Sequence, residues 1–411
     1  MTEPTPPTGR GALARREARL AWSLLFPTIA AVALVVVLPL FAVFWISFKP
    51  VGLADLRPPT PMVRESLRTR GAVPELEYRL RNSSQDLEIT DIFLSDTLPE
   101  SVSLTGALPD FCRLDGREIT CRLDRMEGGY NERFRIAVTV AGDIEAAEAA
   151  LEGSLPAIRG SSDNILTNAT FTLDNFRRVF DGGEFLATLG VTLFYTVFGT
   201  IGAILLGLFS ALLLNRSFRG QGILRGLYLF PYVAPIIAVA FAWVILFDPF
   251  SGSANALLVQ MGVTTGPINF FGERPWALIM VTLFAMWGYF PLCFLFTLAR
   301  LQSIETDMYE AADMDGASPF QKFRYLTLPM LLGILSVLFL LRFIWTFNKF
   351  DDIFLLTGGG AGTRTLTVAV YEQAFAVSNI GAGAAVAVVI FLCLLLFSLL
   401  FFRFLSREEG L

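Results

Sequence analysis

Few of the residues that do covalent chemistry are present. The 411-residue sequence has no histidine and four cysteines, none in a C-x-x-C pair, which removes the commonest general base and the usual ligands of zinc and haem. No metal site and no enzyme chemistry are expected on this chain. A G-x-x-x-x-G-K-[ST] loop is also missing, so the chain is not itself an ATPase. What remains suits binding and docking. Trp287-Gly288-Tyr289-Phe290-Pro291-Leu292, and Arg342 followed by Trp345, Thr346 and Asn348, place aromatic, hydroxyl and amide groups in otherwise apolar runs. Glu310-Ala311-Ala312-Asp313-Met314-Asp315-Gly316 offers shape instead. Ala311 and Ala312 make a slim helical turn that can approach another protein closely, and Gly316 permits a sharp break with positive φ. Ser318-Pro319 suits the start of a second helix, so two short helices at an angle form a knob.

The elements that carry these groups are membrane spans. With 54% hydrophobic and 17% charged residues, the composition is too apolar for an ordinary soluble domain. Six runs are long enough for a bilayer core, which takes about 20 helical residues: 24–48, 186–214, 227–247, 276–298, 328–347 and 382–402. The first outlasts a signal-peptide core and has no small-residue cleavage site behind it, so it reads as a retained anchor after a tail at 1–23 whose first ten residues are Pro/Thr-rich and read as disordered. Cationic residues cluster before span one (Arg10, Arg15, Arg16, Arg19), after span two (Arg216, Arg219, Arg225), after span four in the loop 300–327 (Arg300, Lys322, Arg324) and in the tail (Arg403, Arg407). Such residues stay on the cytoplasmic side, which puts both termini there. The apolar cores of the spans hold no Asp or Glu; Asp248 and Asp351 lie at their ends, which argues against an ion-coupled carrier. If energy is used, a partner supplies it.

Charge is concentrated elsewhere. Between Lys49 and Glu184 there are 16 Lys/Arg and 23 Asp/Glu, over half of all charges in the chain. The segment 49–185 therefore reads as an extracytoplasmic insertion between spans one and two, followed by a membrane core at 186–411. Its strand-forming stretches Glu75 to Arg81, Glu88 to Leu94 and Arg133 to Val140, with turns at short spacing, predict a β-sandwich over about 74–172. Cys112 and Cys121 flank Asp115-Gly116, a hairpin dipeptide, on the oxidising side of the membrane, and are expected to form a disulfide. Cys293 and Cys393 sit inside spans and read as small apolar residues.

The knob carries a resemblance. Glu310-Ala311-Ala312, Gly316 four residues after the last Ala, and Leu326-Thr327-Leu328-Pro329 resemble the EAA loop of the inner-membrane permease subunits of binding-protein-dependent ABC importers. Leu326 stands where Ile is frequent. The resemblance implies that Glu310, Ala311, Ala312, Asp315, Gly316, Leu328 and Pro329 couple the chain to an ATPase, the knob sitting in a cleft of that subunit. It also implies the partners: a second permease subunit, two ATPase subunits that bind the ATP and magnesium, an extracytoplasmic solute-binding protein and membrane lipid, with no nucleic acid and no cofactor on this chain. The implied location is a bacterial cytoplasmic (inner) membrane. Arg342 to Asp351, Leu355-Leu356-Thr357-Gly358-Gly359-Gly360 and Tyr371 to Phe375 are similar to the carbohydrate branch, maltose-permease type, with Ala361 where Pro usually follows the triple glycine. Phe171 to Phe176 is similar to that family's external lead-in to span two. Asp96-Thr97-Leu98-Pro99, the two cysteines and Ile136 to Val140 resemble an immunoglobulin-like module of bacterial surface proteins, which leaves docking of the binding protein and an envelope-contacting spacer both open.

The implied fold is thus an all-α membrane permease of six helices with an inserted β-sandwich, and the implied activity is import of a sugar or oligosaccharide. Sugars are held by aromatic faces and side-chain hydrogen bonds, so the substrate path would use Trp287, Gly288, Tyr289, Leu292, Arg342, Trp345, Thr346 and Asn348. Leu292 falls where an aromatic is expected in the maltose type. Two alternatives stay open: Trp287 and Trp345 as interfacial or packing aromatics, and Arg342 as a snorkelling residue. A permease for a non-sugar solute such as glycerol phosphate or a polyamine keeps the knob and differs only in the cavity. A membrane-anchored sensor leaves the knob unexplained.

Overall fold

The computed structural model describes residues 12–69, 73–85, 87–181 and 183–408; the tail through Arg10 lies outside them. Phe48–Asn175 with Ser378–Gly381 form one compact unit, and the apolar helices before and after form another.

The first apolar run is α1 (Ala12–Val32), a π turn (Ala33–Val37) and α2 (Leu38–Ser47). The π turn sits just before Pro39, whose ring and missing N–H disturb ordinary pairing, and Leu38 N reaches back five residues to Ala33 O.

The charged insertion then builds β1 (Pro61–Arg68), β2 (Glu75–Asn82), β3 (Ile89–Thr97), β4 (Val102–Leu104), β5 (Cys112–Asp115), β6 (Glu118–Met126), β7 (Asn131–Val140), α3 (Ile144–Ser154) and β8 (Ala157–Ser161). Two four-stranded antiparallel sheets result, in the orders β1-β2-β7-β4 and β5-β6-β3-β8. Alternate residues from both sheets, among them Leu76, Tyr78, Leu80, Ile92, Leu94, Ile119, Ile136 and Val138, share one apolar core with Ala147 and Leu151 of α3. Each large aliphatic buried there contributes about 1.5–3 kcal/mol. The strands begin at Pro61, earlier than the alternation from residue 74 suggests, and β1 pairs with β2 along its length. Its pattern is obscured because its inward positions are Pro61, Val63, Glu65 and Leu67, so an acid interrupts the apolar rhythm.

Asp115 pairs with Glu118, which makes Gly116 and Arg117 the central residues of the hairpin between β5 and β6. Gly116 has φ +63, as a two-residue hairpin turn requires. Cys112 and Cys121 stand opposite each other across this hairpin and are bonded through sulfur. Between the sheets, both carboxyl oxygens of Glu65 and Oδ1 of Asp96 are shielded without an acceptor's partner, while the Tyr78 hydroxyl donates to Asp96 Oδ2. Burial, and after it the charge of Asp96, push the Glu65 carboxyl up to about 8, so at neutral pH one proton is kept where two ionised carboxylates would repel.

The remaining helices are α4 (Asp174–Asp181), α5 (Phe185–Leu214), α6 (Gln221–Tyr228), α7 (Phe230–Val233), α8 (Ile236–Leu246), α9 (Ser253–Gln260), α10 (Trp276–Gln302), α11 (Thr306–Met314), α12 (Pro319–Lys322), α13 (Leu328–Phe347), α14 (Asp351–Thr357), α15 (Leu366–Tyr371) and α16 (Ile380–Glu408). Among the described residues five helical stretches, Arg16–Ser47, Phe185–Leu214, Trp276–Gln302, Pro319–Phe347 and Ile380–Arg403, are long and apolar enough to cross a membrane. The run expected as the third span, 227–247, is bent by 90° between Val233 and Ile236. Pro231 and Pro235 explain the break, since neither donates a backbone hydrogen bond and Pro235 caps the start of α8. The fourth of these stretches, expected from 328 as span five, starts at Pro319, because α12 continues through a π turn (Phe323–Thr327) into α13, again just ahead of a proline, Pro329.

α5 and α10 pack most closely. Gly199, Ala203, Gly207 and Ala211, four residues apart, form a buried stripe on α5. A Cβ on Gly207 would lie 2.6 Å from Cys293 Cβ and 2.7 Å from Phe294 N, so the two backbones nearly touch. On the opposite side Phe198, Leu205 and Phe209 are more than half exposed, as suits a surface facing hydrocarbon.

Candidate functional site

The Glu310–Gly316 stretch forms a rigid corner. α11 ends with Gly316 at φ +74; Gly316 N donates to Asp313 O and Ala317 N to Ala312 O, the paired bonds of a glycine-closed helix end. Ser318 and Gln321 cap the next helix reciprocally, with Ser318 N donating to Gln321 Oε1 at 2.8 Å and Gln321 N to Ser318 Oγ at 3.4 Å. Lys322 Nζ reaches Asp313 Oδ1 at 2.5 Å across the corner. Tyr309 and Thr327 share a hydroxyl hydrogen bond of 2.9 Å, and Arg300 Nε donates to Met330 O at 3.2 Å. Leu298, Leu301, Ile304 and Leu331 close a small core beneath. The corner is thereby joined to the start of α13, which Arg300 joins to the end of α10. Its outer surface shows Glu310, Ala311, Asp315 and Gly316, with Met314 89% and Phe320 71% exposed, a polar turn flanked by apolar side chains. Ala312 and Leu328 are half-buried and Pro329 is exposed one π turn further on.

The aromatic and polar residues of the spans divide into two groups. Trp287, Gly288 and Tyr289 line a cavity of about 80 Å³ whose other wall is the bent segment, with Pro231, Ala234 and Ile236. Pro291 lies within α10 and leaves the Trp287 carbonyl without its helical donor, beside this cavity. Trp287 also packs in an aromatic cluster, its ring 5.7 Å from that of Trp243. Arg342 is buried, its guanidinium 4.1 Å from the centre of the Tyr289 ring and bonded to Thr346 Oγ1 at 3.0 Å. Arg342 and Thr346 are four residues apart on one face of α13. Trp345 lies on another face, 49% exposed, and exposed Asn348 uses its side chain to cap α13 through Ile344 O at 2.9 Å. Leu292 is half-buried and does not line the cavity. The structure thus places Trp287, Gly288 and Tyr289 on the cavity wall and Arg342 with Thr346 against the Tyr289 ring but off that wall, and sets Leu292, Trp345 and Asn348 apart.

Sequence reasoning overlooked Asp352 and Tyr195. Asp352 is fully buried in the first turn of α14; its Oδ2 accepts from the Tyr195 hydroxyl at 2.9 Å and its Oδ1 from the Tyr289 hydroxyl at 3.1 Å. Lys349 Nζ lies 3.8 Å from Asp352 Oδ1 and 2.9 Å from Asp351 Oδ2. Lys349 thus faces two carboxylates, while Arg342 rests on the Tyr289 ring and Thr346; the formal charges of the four ionisable groups sum to zero. The signal was the Asp351-Asp352 pair at a helix start, where carboxylates are favoured, but no spacing rule connects it to Tyr195, 157 residues away. A larger cavity of about 350 Å³ lies elsewhere in the helical unit, lined by Arg178, Thr188, Arg364 and Gln373, and none of the residues expected from the sequence to line the substrate path borders it.

Residues 203–408 match the family model described as "Binding-protein-dependent transport system inner membrane component". The inner membrane ABC transporter permease protein YcjO of Escherichia coli is 37% identical over 210 residues, covering 51% of this chain and 71% of that protein. The trehalose/maltose transport system permease protein MalF of Thermococcus litoralis is 36% identical over 209 residues, covering 51% and 70%. A solved bacterial ABC transporter involved in import of the acidic polysaccharide alginate shares the fold, with a TM-score of 0.54 at 20% identity over 59% of this chain and 85% of that one. The matched region contains the glycine-closed corner, the bent segment and the cavity, and on these grounds the chain belongs to the binding-protein-dependent transport system inner membrane components, as a multi-pass ABC importer permease subunit.

Proposed function

We propose that the chain is the six-span permease subunit of an importer that moves a neutral sugar or oligosaccharide, with the bent segment as its third span and both termini in the cytoplasm. The observation that carries the reading is the corner from Glu310 to Gly316, tied to α10 and α13 by Tyr309, Thr327 and Arg300 and exposing Met314 and Phe320. One of two partner ATPase subunits, which hold the ATP and magnesium, docks there and passes its closure to the spans. The cavity of about 80 Å³ is far below the roughly 300 Å³ at which small-molecule sites begin, so a second permease subunit supplies the facing wall. Tyr289, Arg342 and Thr346 are the solute residues this chain offers, with Trp287 and Gly288 shaping the wall. The neutral set Arg342, Lys349, Asp351 and Asp352 leaves no spare charge for an anionic or cationic solute. A trehalose/maltose permease among the relatives supports a sugar.

The inserted unit, two antiparallel sheets on one core, reads as immunoglobulin-like and as a docking platform for the solute-binding protein. Replacing residues Thr60 to Asp163 with a short linker is expected to weaken binding-protein affinity and uptake together; full uptake with unchanged affinity would sink that role. For the solute, the solute-binding protein recovered with the transporter is screened by thermal shift against sugars, glycerol 3-phosphate and polyamines. A shift with sugars is the expected result, and a shift only with glycerol 3-phosphate or a polyamine would overturn the assignment.

A further inference from the structure

Asp352 is 0% exposed, and a buried carboxylate is retained only where its partners repay its desolvation. Here the partners come from two helices and the connection after a third. Tyr195 of α5 donates at 2.9 Å, Tyr289 of α10 donates at 3.1 Å, and Lys349, between α13 and α14, lies 3.8 Å away. Tyr289 is the shared member of two sets: its hydroxyl is held by Asp352, and its ring carries the Arg342 guanidinium at 4.1 Å and the Lys349 ammonium at 5.3 Å. Arg342 is anchored at one nitrogen by Thr346 Oγ1, while its buried Nε has no hydrogen-bond partner.

We propose that Asp352 is a positioning residue for the solute surface: by fixing the Tyr289 hydroxyl against α14 it sets the ring on which Arg342 rests, and through them the wall presented to the sugar. The inference rests on the placing of Tyr289 and Arg342 in the solute path. Removing the carboxylate would release the Tyr289 ring and leave Tyr195, 1% exposed, with a buried unpaired hydroxyl. It would also leave the local charge at plus one. Asparagine keeps the volume and one carbonyl acceptor, and its amide can donate to the second tyrosine oxygen, so most of the geometry survives that change.

The test uses the complete transporter, both permeases with the ATPase subunits and the loaded binding protein, reconstituted in liposomes. Cryo-EM of Asp352→Ala should show the Tyr289 ring displaced from Arg342, and of Asp352→Asn the ring in place. With the sugar found by the screen above, Asp352→Ala should lower uptake per ATP hydrolysed by about tenfold, the size expected for losing a buried hydrogen bond, while Asp352→Asn, which keeps an acceptor, stays within about twofold of the wild type. A folding defect lowers uptake and hydrolysis in proportion and leaves that ratio unmoved. An unmoved ring in Asp352→Ala overturns the positioning role, as does an equal loss in both variants. A displaced ring with an unchanged ratio overturns instead the placing of Tyr289 in the solute path. If Asp352→Ala fails to assemble, Tyr289→Phe carries the test: it removes only the hydroxyl that Asp352 holds and should displace the ring from Arg342, and an unmoved ring overturns the role.

Discussion

Gly316 allows the coupling role to be separated from backbone strain by the order in which substitutions act. Its φ is +74, and a Cβ placed there meets nothing within 4 Å in this chain. The intrachain cost of Gly316→Ala is therefore the left-handed backbone alone, about 1–2 kcal/mol. Asparagine tolerates that region better than alanine, so strain by itself makes Gly316→Asn the milder change. A docked ATPase subunit reverses the order. Each side-chain atom added to the closest point of a packed contact costs more, about 1–3 kcal/mol for a modest overlap, and asparagine adds four heavy atoms to alanine's one. Gly316→Asp adds a carboxylate beside the carbonyl end of α11, unfavourable by a further ~0.3–1 kcal/mol. The assay is ATP hydrolysis stimulated by sugar-loaded binding protein in liposomes, normalised to assembled complex. The expected order is wild type, then Ala, then Asn and Asp near background, with all variants present in the membrane. Stimulation by the Asn variant above that of the Ala variant, or unchanged stimulation in all three, would refute docking at this corner.

Other tests address the two units separately. Gly207→Ala places a Cβ 2.6 Å from Cys293 Cβ and 2.7 Å from the Phe294 nitrogen, so α5 and α10 must separate at a cost of about 1–3 kcal/mol. Its melting temperature should fall, while Gly190→Ala, with nothing within 4 Å of the new atom, should melt like the wild type; equal melting of both would contradict the close approach. In the β unit, Glu65 holds its proton up to about pH 8 when folded against an ordinary value of 4.5. The folded state thus binds more protons than the unfolded one between these values, so the stabilisation is complete below about pH 4.5 and fades as pH rises through about 8. Glu65→Gln should remove that decline, read as backbone hydrogen exchange of β1 and β3 at pH 5 and pH 8; an unchanged pH dependence in the variant would rule out Glu65 as its source.

The legibility of this chain follows the range of each interaction. Apolar length is a local property, and it located the helices at 185–214, 276–302 and 380–403 to within a few residues. It was blind to the 90° bend, because hydropathy averages over Pro231 and Pro235 without registering that they cannot pair. In the insertion, the strands at Glu75, Ile89 and Asn131 were readable from alternation, whereas β1 was not, since Glu65 occupies an inward position. The knob was legible down to Gly316, because a helix end closed by glycine is decided within six residues. Its bracing by Tyr309, Thr327 and Arg300 was not.

For the proposed solute-path residues, composition supplied a pool and packing made the selection. Trp345 and Asn348 have the same chemistry as the residues that converge, but one turn of 3.6 residues sends them to a different face from Arg342 and Thr346. Asp352 shows the other side of that limit. By itself the sequence determined which segments are long and apolar enough to cross a membrane, where the charged insertion lies and where a glycine closes α11, because each depends on neighbours within one helix or hairpin. Only the tertiary structure decided that Asp352 meets Tyr195 and Tyr289, and that Glu65 meets Asp96. A buried polar group is defined by what surrounds it in space, and its partners here are contributed by elements far apart along the chain.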